Sequence, residues 1–234
     1  MIRQLRDKKV IFFDVGNTLD APASGDWMLT GMFLERTGDR LRDCGDAEIR
    51  RAMEAGLRFL ERDHHVATIG EEILQFTGFY TILSDRLDLG LSGEEAERIA
   101  RDRALNMKNY VPYPGVADVL AALSRTHKLG VISDTWPSVE QQLEYIGVSP
   151  YISFRTYSCF VGAFKPDRRI YLDALNKSGV PAEETVFIDD GVRNLDGAAS
   201  LGITPILIAW DPGSDADTAY LKISDLRELI RREE

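Results

Sequence analysis

The chain carries a continuous apolar run at residues 10–13 and three similar, mostly apolar runs at 129–132, 185–188 and 203–209. Near-continuous hydrophobicity of this length, without regular polar alternation, predicts strands buried on both faces. Each run hands the chain over to polar residues at its C-terminal end: Asp14, Ser133 with Asp134, Asp189 with Asp190, and Asp211. Helix-period stripes separate the runs. Val116, Val119, Leu120 and Leu123 form one, Ile170, Ala174 and Leu175 another, and Val139, Leu143 and Ile146 a third after Pro137, whose fixed φ suits a first helical turn. Gly130 and Gly179 are read as flanking helix ends, and Ser224 as the N-cap of a last short helix. Strands alternating with helices predict a parallel α/β sheet, in which ligands bind beyond the carboxyl ends of the strands.

Between about residues 24 and 109 the pattern changes, because strand-type runs vanish and only helix-period stripes remain. Met28, Met32 and Phe33 mark a first helix, Ile49, Met53, Leu57 and Leu60 a second, Ile73, Phe76, Tyr80, Leu83 and Leu87 a third, and Ile99, Arg103 and Leu105 a fourth. An all-helical module is therefore expected at 21–110, inserted into a sheet domain made of 1–20 and 111–234. Pro112, Pro114 and Gly115 punctuate the re-entry.

Composition narrows the function classes. With 234 residues, 44% hydrophobic and 28% charged, the chain has the make-up of a globular protein able to bury a substantial core. Its formal net charge of -10, with no basic patch to reverse it, argues against nucleic acid and anionic membranes as partners. The four-residue apolar run before Asp14 is too short for a signal-peptide core or a membrane span. Cys44 and Cys159 are far apart and lack metal-ligand spacing, which fits ordinary thiols and a cytoplasmic location.

The candidate chemistry sits at the strand ends. A parallel sheet lets Asp14, Ser133, Asp189 and Asp190 converge on one crevice, with Lys165 of the string GAFKPD nearby. Three carboxylates at the low dielectric of a crevice repel one another, and a lysine and a divalent cation are their natural neutralisers. Oxygen-only ligands point to Mg2+. A carboxylate nucleophile beside a hard cation and a hydroxyl suits displacement at phosphorus.

Taken together, IFFDVGNTL, VISDT, GAFKPD and FIDDGVRNLDGAASLGI, in this order, resemble the four motifs of the haloacid dehalogenase (HAD) superfamily. The resemblance implies a Rossmann-like core with the helical module as a cap, and hydrolase activity, foremost that of a Mg2+-dependent phosphatase acting on a small phosphorylated metabolite. Carried over residue by residue, it implies that Asp14 is the nucleophile, that Ser133 binds a phosphoryl oxygen and that Lys165 screens the transferring group. Asp190 would ligate Mg2+ with Asp14 and the carbonyl of Gly16, and Asp189 would be a further ligand or stand behind one. Asn194 would orient a metal-bound water, and Thr18 would brace the first loop.

One departure stands out. Most phosphatases of this superfamily carry a second Asp two residues after the nucleophile, as general acid and base, and this chain has Gly16 there. Dehalogenases and phosphonoacetaldehyde hydrolase also lack that acid. The first lack the acidic pair that Asp189 and Asp190 form here, and the second needs a cap lysine where the module offers only Lys108 at its far end. Hydrolysis of a non-phosphate bond and phosphate binding without turnover remain the alternatives. Asp134 and Trp136, next to Ser133, are candidate substrate contacts, Asp134 equally a turn cap and Trp136 equally a packing residue. His64 and His65 are expected as solvated residues at the end of a charged helix, and Asp211, Asp215 and Asp217 as a solvated acidic loop.

Overall fold

The computed structural model describes residues 2–210 and 218–231, so Asp211, Asp215 and Asp217 lie outside the described residues. The chain separates into two compact units, one of Met1–Ala21, Pro112–Thr135 and Leu143–Glu234, the other of Pro22–Val111 and Trp136–Gln142.

The first unit is built on a six-stranded sheet. In chain order its strands are β1 (Val10–Phe13), β4 (Lys128–Ser133), β5 (Ile152–Tyr157), β6 (Thr185–Asp189), β7 (Thr204–Ile208) and β8 (Leu221–Ile223). They lie in the order β5-β4-β1-β6-β7-β8, every pairing parallel. The apolar runs read from sequence are the middle strands: all four residues of β1 and all five of β6 are buried. β5 and β8 close the edges. Gly130, read as a helix flank, instead sits inside β4. A Cβ there would lie 2.7 Å from Cδ1 of Phe12 and 3.2 Å from Cβ of Phe154, so the strand needs a residue without a side chain beside those rings.

Helices α5 (Val116–Leu123), α6 (Val139–Tyr145), α7 (Ser158–Val161), α8 (Arg168–Ser178) and α9 (Val192–Ala199) follow the strands. Ile170, Tyr171 and Ala174 of α8 and Leu195 and Ala198 of α9 pack with Phe12 and Phe187 into one buried cluster. Burying aromatic and branched side chains of this kind stabilises the fold by about 1.5–3 kcal/mol each. The expected last helix is a short 3-10 turn, Leu226–Ile230, and its cap is Asp225 rather than Ser224, Oδ1 of Asp225 accepting the Arg227 N–H at 2.8 Å.

The second unit holds four complete α-helices, α1 (Gly31–Asp43), α2 (Asp46–Arg62), α3 (Ile69–Leu87) and α4 (Gly93–Leu105), together with residues 139–142 of α6. The first begins later than Met28 because Thr30 caps it, its Oγ1 accepting the Phe33 N–H at 3.4 Å. Thr68 with Glu71 and Ser92 with Glu95 form reciprocal capping boxes that fix the starts of α3 and α4. Phe33, Phe76, Phe79, Tyr80, Leu83 and Ile99 are buried in this unit. His64, expected in solvent, is buried instead, its ring set edge-on to Trp136 with centroids 5.0 Å apart, and burial pushes its pKa down to about 4. His65 is exposed. None of the described helices is long and apolar enough to cross a membrane.

Two short strands, β2 (Asp20–Pro22) and β3 (Tyr110–Pro112), pair as a separate two-stranded sheet, and the boundary between the units passes through both. The boundary thus lies one residue beyond the expected positions. Trp136–Gln142, expected in the sheet domain, belongs to the helical unit. The cause is a set of hydrogen bonds to α3: Ser138 donates its N–H and its O–H to Glu72, and Trp136 donates its indole N–H to Gln75.

Candidate active site

The strand order reverses about β1, with β4 and β5 to one side and β6, β7 and β8 to the other. In a parallel α/β sheet that switch point is where loops diverge and leave a crevice. Phe13 is in register with Val131 of β4 and Ile188 of β6, and the Asp14 N–H donates to the Ile188 carbonyl at 2.9 Å. The residues following these three strands are therefore delivered at the same level.

Asp14, Asp189 and Asp190 converge so that one carboxylate oxygen from each lies within 4.8 Å of the others. Lys165 is buried among them, its Nζ 2.8 Å from Oδ1 of Asp14 and 2.8 Å from Oδ2 of Asp189. It follows Gly162, whose positive φ of 68° ends α7 and turns the chain, and the Lys165–Pro166 peptide is cis. The Lys165 N–H donates to Oδ1 of Asp134 at 2.9 Å, so Asp134 fastens the loop that carries the lysine. Ser133 is buried at the end of β4.

The electrostatics follow from burial. Loss of solvent pushes the Asp14 carboxyl up to about 8, with Asp189 and Asp190 adding to the rise and Lys165 opposing it. Burial by itself would lower the Lys165 ammonium, but the carboxylates of Asp14, Asp189 and Asp134 hold it above its ordinary value. Burial likewise raises the Asp134 carboxyl, against the pull of Lys165.

The two aspartates at the end of β6, Asp189 within the strand and Asp190 just beyond it, differ. Asp189 is fully buried and saturated: Oδ1 accepts the Gly191 N–H at 2.7 Å and Nδ2 of Asn194 at 3.0 Å, and Oδ2 accepts Lys165 at 2.8 Å and Asn194 at 3.2 Å. Asp190 is exposed, and its Oδ2 accepts Nδ2 of Asn17 at 3.2 Å. Asn194, expected to orient a water, is thus engaged in fixing Asp189. Asn17 escaped the sequence reading. Its φ of 56° places it in the left-handed region, where Asn is among the few tolerated side chains, and an Asn in a strand-end turn was the clue available.

Thr18 braces its loop by the backbone, its N–H donating to Val15 at 3.2 Å and its carbonyl accepting the Trp210 indole N–H at 3.3 Å. Its buried Oγ1 has no hydrogen-bond partner. Trp136 is packed in the helical unit, its ring 4.9 Å from Phe76 between centroids. The donor set suits a hard divalent cation: three carboxylates share one lysine, which leaves the cluster a net negative charge. The oxygens of Asp14 and Asp190 and the Gly16 carbonyl could hold such an ion, whereas every described oxygen of Asp189 already accepts hydrogen bonds.

A buried carboxylate paired with a lysine at the switch point of a parallel sheet, faced by a second strand-end acidic pair, defines a hydrolase-type site of the α/β class. A family model described as haloacid dehalogenase-like hydrolase matches residues 8–202, and the chain belongs to that family of hydrolases. Among curated proteins it is 32% identical over 93 residues to the GMP/IMP nucleotidase YrfG of Escherichia coli, a match covering 38% of this chain and 42% of that one. It is 27% identical over 154 residues to a phosphoserine phosphatase of Thermus thermophilus, covering 62% of this chain and 61% of that one. The matches thus span about half the length of these relatives. A crystal structure of a HAD phosphatase from Thermococcus onnurineus shares the fold, with a TM-score of 0.62, 23% identity and 95% of each chain covered.

Proposed function

We propose that the protein is a Mg2+-dependent phosphatase acting on a small phosphorylated metabolite, with Asp14 as the nucleophile. The observation that carries this reading is the Asp14 carboxylate with one oxygen held by Lys165 at 2.8 Å, in a cluster whose remaining charge calls for a cation. Bound Mg2+ would supply positive charge to the phosphoryl oxygens and hold the Asp14 carboxylate in its ionised form.

The chain's own groups account for the rest. Asp14 attacks phosphorus through a carboxylate oxygen, the bond to the leaving alcohol breaks, and an aspartyl phosphate forms. Water then attacks that phosphorus and returns the carboxylate and inorganic phosphate. Lys165 donates hydrogen bonds to the nucleophile and to a phosphoryl oxygen, and the Ser133 hydroxyl donates to another. Gly16 supplies no acid, so the leaving group departs without a proton from that position, which favours substrates whose alcohols are already acidic. The presence of Asp190 beside Asp14 speaks for phosphate over carbon-halogen chemistry, because metal-free dehalogenation has no use for that added negative charge.

The test is phosphate release from an aryl phosphate with and without Mg2+. Asp14→Asn should fall to background, and the wild type should lose activity on chelation. Aryl phosphate hydrolysis that persists in Asp14→Asn would remove the nucleophile assignment, and no phosphate release by the wild type at any Mg2+ concentration would remove the phosphatase reading.

A further inference from the structure

Asn17 occupies a backbone conformation that this chain otherwise gives mostly to glycine. Among the described residues seven positions of positive φ are glycine, and only two, Asn17 and Asp88, are not. Around Asn17 the turn is held by main-chain bonds: its N–H donates to the Asp20 carbonyl at 2.7 Å, the Leu19 N–H donates to the Val15 carbonyl at 2.7 Å, and Gly16 forms an isolated parallel bridge with Asp20. The turn therefore asks of residue 17 only that it accept a φ of 56°, which glycine does without steric cost. What asparagine brings in addition is a side-chain amide.

That amide reaches a different strand. Nδ2 of Asn17 donates to Oδ2 of Asp190 at 3.2 Å, joining the loop after β1 to the residue just beyond β6, 173 positions later. Both ends of the bond lie in the sheet unit. Asp189 has three donors of its own in Lys165, Gly191 and Asn194, whereas among the described residues Asn17 alone offers a side-chain hydrogen bond to Asp190. An exposed carboxylate turns about its two side-chain torsions unless a donor fixes it, and a bond to one oxygen leaves the other available to a cation.

We infer that Asn17 is a positioning residue for Asp190, and through it for cation binding, its amide keeping that carboxylate beside the oxygens of Asp14 and Asp189. The inference rests on the Mg2+ reading of the acidic cluster for its effect on affinity, and on the bond between Asn17 and Asp190 for its structural part. Asn17 touches neither the ion nor the substrate in this account. Hydrogen-bond partners of ligating carboxylates contribute about 10- to 100-fold to metal affinity. A long bond at an exposed position belongs at the low end of that range.

The experiment is calorimetric titration of Mg2+ alone into the wild type, Asn17→Gly and Asn17→Ala, with melting temperatures of the metal-free proteins. Asn17→Gly keeps the left-handed turn and removes the amide: its Mg2+ dissociation constant should rise about tenfold while its metal-free melting temperature stays near the wild type's. Asn17→Ala removes the amide and strains the turn as well, so its melting temperature should also fall. In aryl phosphate hydrolysis the Asn17→Gly defect should be overcome by raising Mg2+, with kcat at saturation little changed. An Asn17→Gly protein that binds Mg2+ as tightly as the wild type would reduce residue 17 to a turn former and overturn the inference, whatever Asn17→Ala does. Should the wild type take up no Mg2+, the cation reading fails on its own, and amide hydrogen exchange at 190–192 in the metal-free proteins decides: faster exchange in Asn17→Gly upholds the hold on Asp190, and unchanged exchange refutes it.

Discussion

At residue 16 the chain has a backbone and no side chain to offer, while two positions earlier Asp14 is set for attack. If the leaving group departs without a proton from the enzyme, replacing Gly16 with Asp should help most where the departing alkoxide is worst. Gly16→Asp is expected to raise kcat/KM toward alkyl phosphates by about 10²-fold or more, the lower end of positioned acid catalysis, and to alter aryl phosphate turnover far less. Rates for the two substrate types, measured side by side, check this. The adjacent aspartates make a second comparison. Asp189 accepts hydrogen bonds from Lys165, Gly191 and Asn194, and each bond to a charged group is worth about 1.5–3 kcal/mol. Asp189→Asn should therefore lower both thermal stability and Mg2+ affinity, whereas Asp190→Asn, at an exposed position, should lower Mg2+ affinity with stability nearly intact; melting curves with and without Mg2+ separate them. Asp14, Ser133 and the acidic pair could be named from sequence because each ends or follows a buried strand, and Lys165, in the loop after α7, could be named from the string GAFKPD that precedes a helix. The distinct environments of Asp189 and Asp190 could not, since they depend on which donors the turn at Gly191 and the helix residue Asn194 aim at them.

At the scale of elements, what was legible followed from burial on both faces. β1 and β6 are central, and their apolar runs match the observed strands to within a residue. β5, the sequence ISFRTY at the sheet edge, mixes exposed and buried positions, and β8 has three residues only, so neither shows an apolar run to read. The four inserted helices were legible from their stripes, while the start of α1 was misplaced because Thr30, not the apolar Met28, sets it. That Trp136–Gln142 leaves the sheet unit could not be read at all, because the partner of Ser138 is 66 residues away. The packing of α9 gives a prediction at this scale. A Cβ at Gly197 would stand 2.7 Å from Cβ of Pro166 and 2.9 Å from Cε2 of Tyr171, so this glycine lets the helix approach the loop that carries Lys165. Gly197→Ala should cost about 1–3 kcal/mol of stability by overpacking, read by urea denaturation, and should depress activity by displacing Pro166 and its neighbour Lys165.

For the whole molecule, the proposed cation and the proton compete for one carboxylate. The chain carries a formal charge of -10, and its three clustered aspartates concentrate part of that charge where burial resists it. With no cation, burial raises the Asp14 carboxyl to about 8, above its value of 3.8 in an unfolded chain. The folded state then binds the proton more tightly than the unfolded one, so Asp14 contributes stability that is full below about pH 4 and is lost as the pH rises through about 8. A cation reverses that slope, because it binds the ionised carboxylate and must displace the proton when one is present. At a hundredfold excess over its dissociation constant, binding to the folded state alone adds about 2.7 kcal/mol. For a chain of this size that corresponds to a rise in melting temperature of about 5–10 °C. The increment due to Mg2+ should therefore be largest near pH 8.5, shrink steadily toward pH 6, vanish on chelation, and be absent in a variant carrying both Asp14→Asn and Asp190→Asn. Melting curves over that pH range, with Mg2+ and with a chelator, measure it directly. An increment independent of pH would mean that the ion binds somewhere other than beside Asp14.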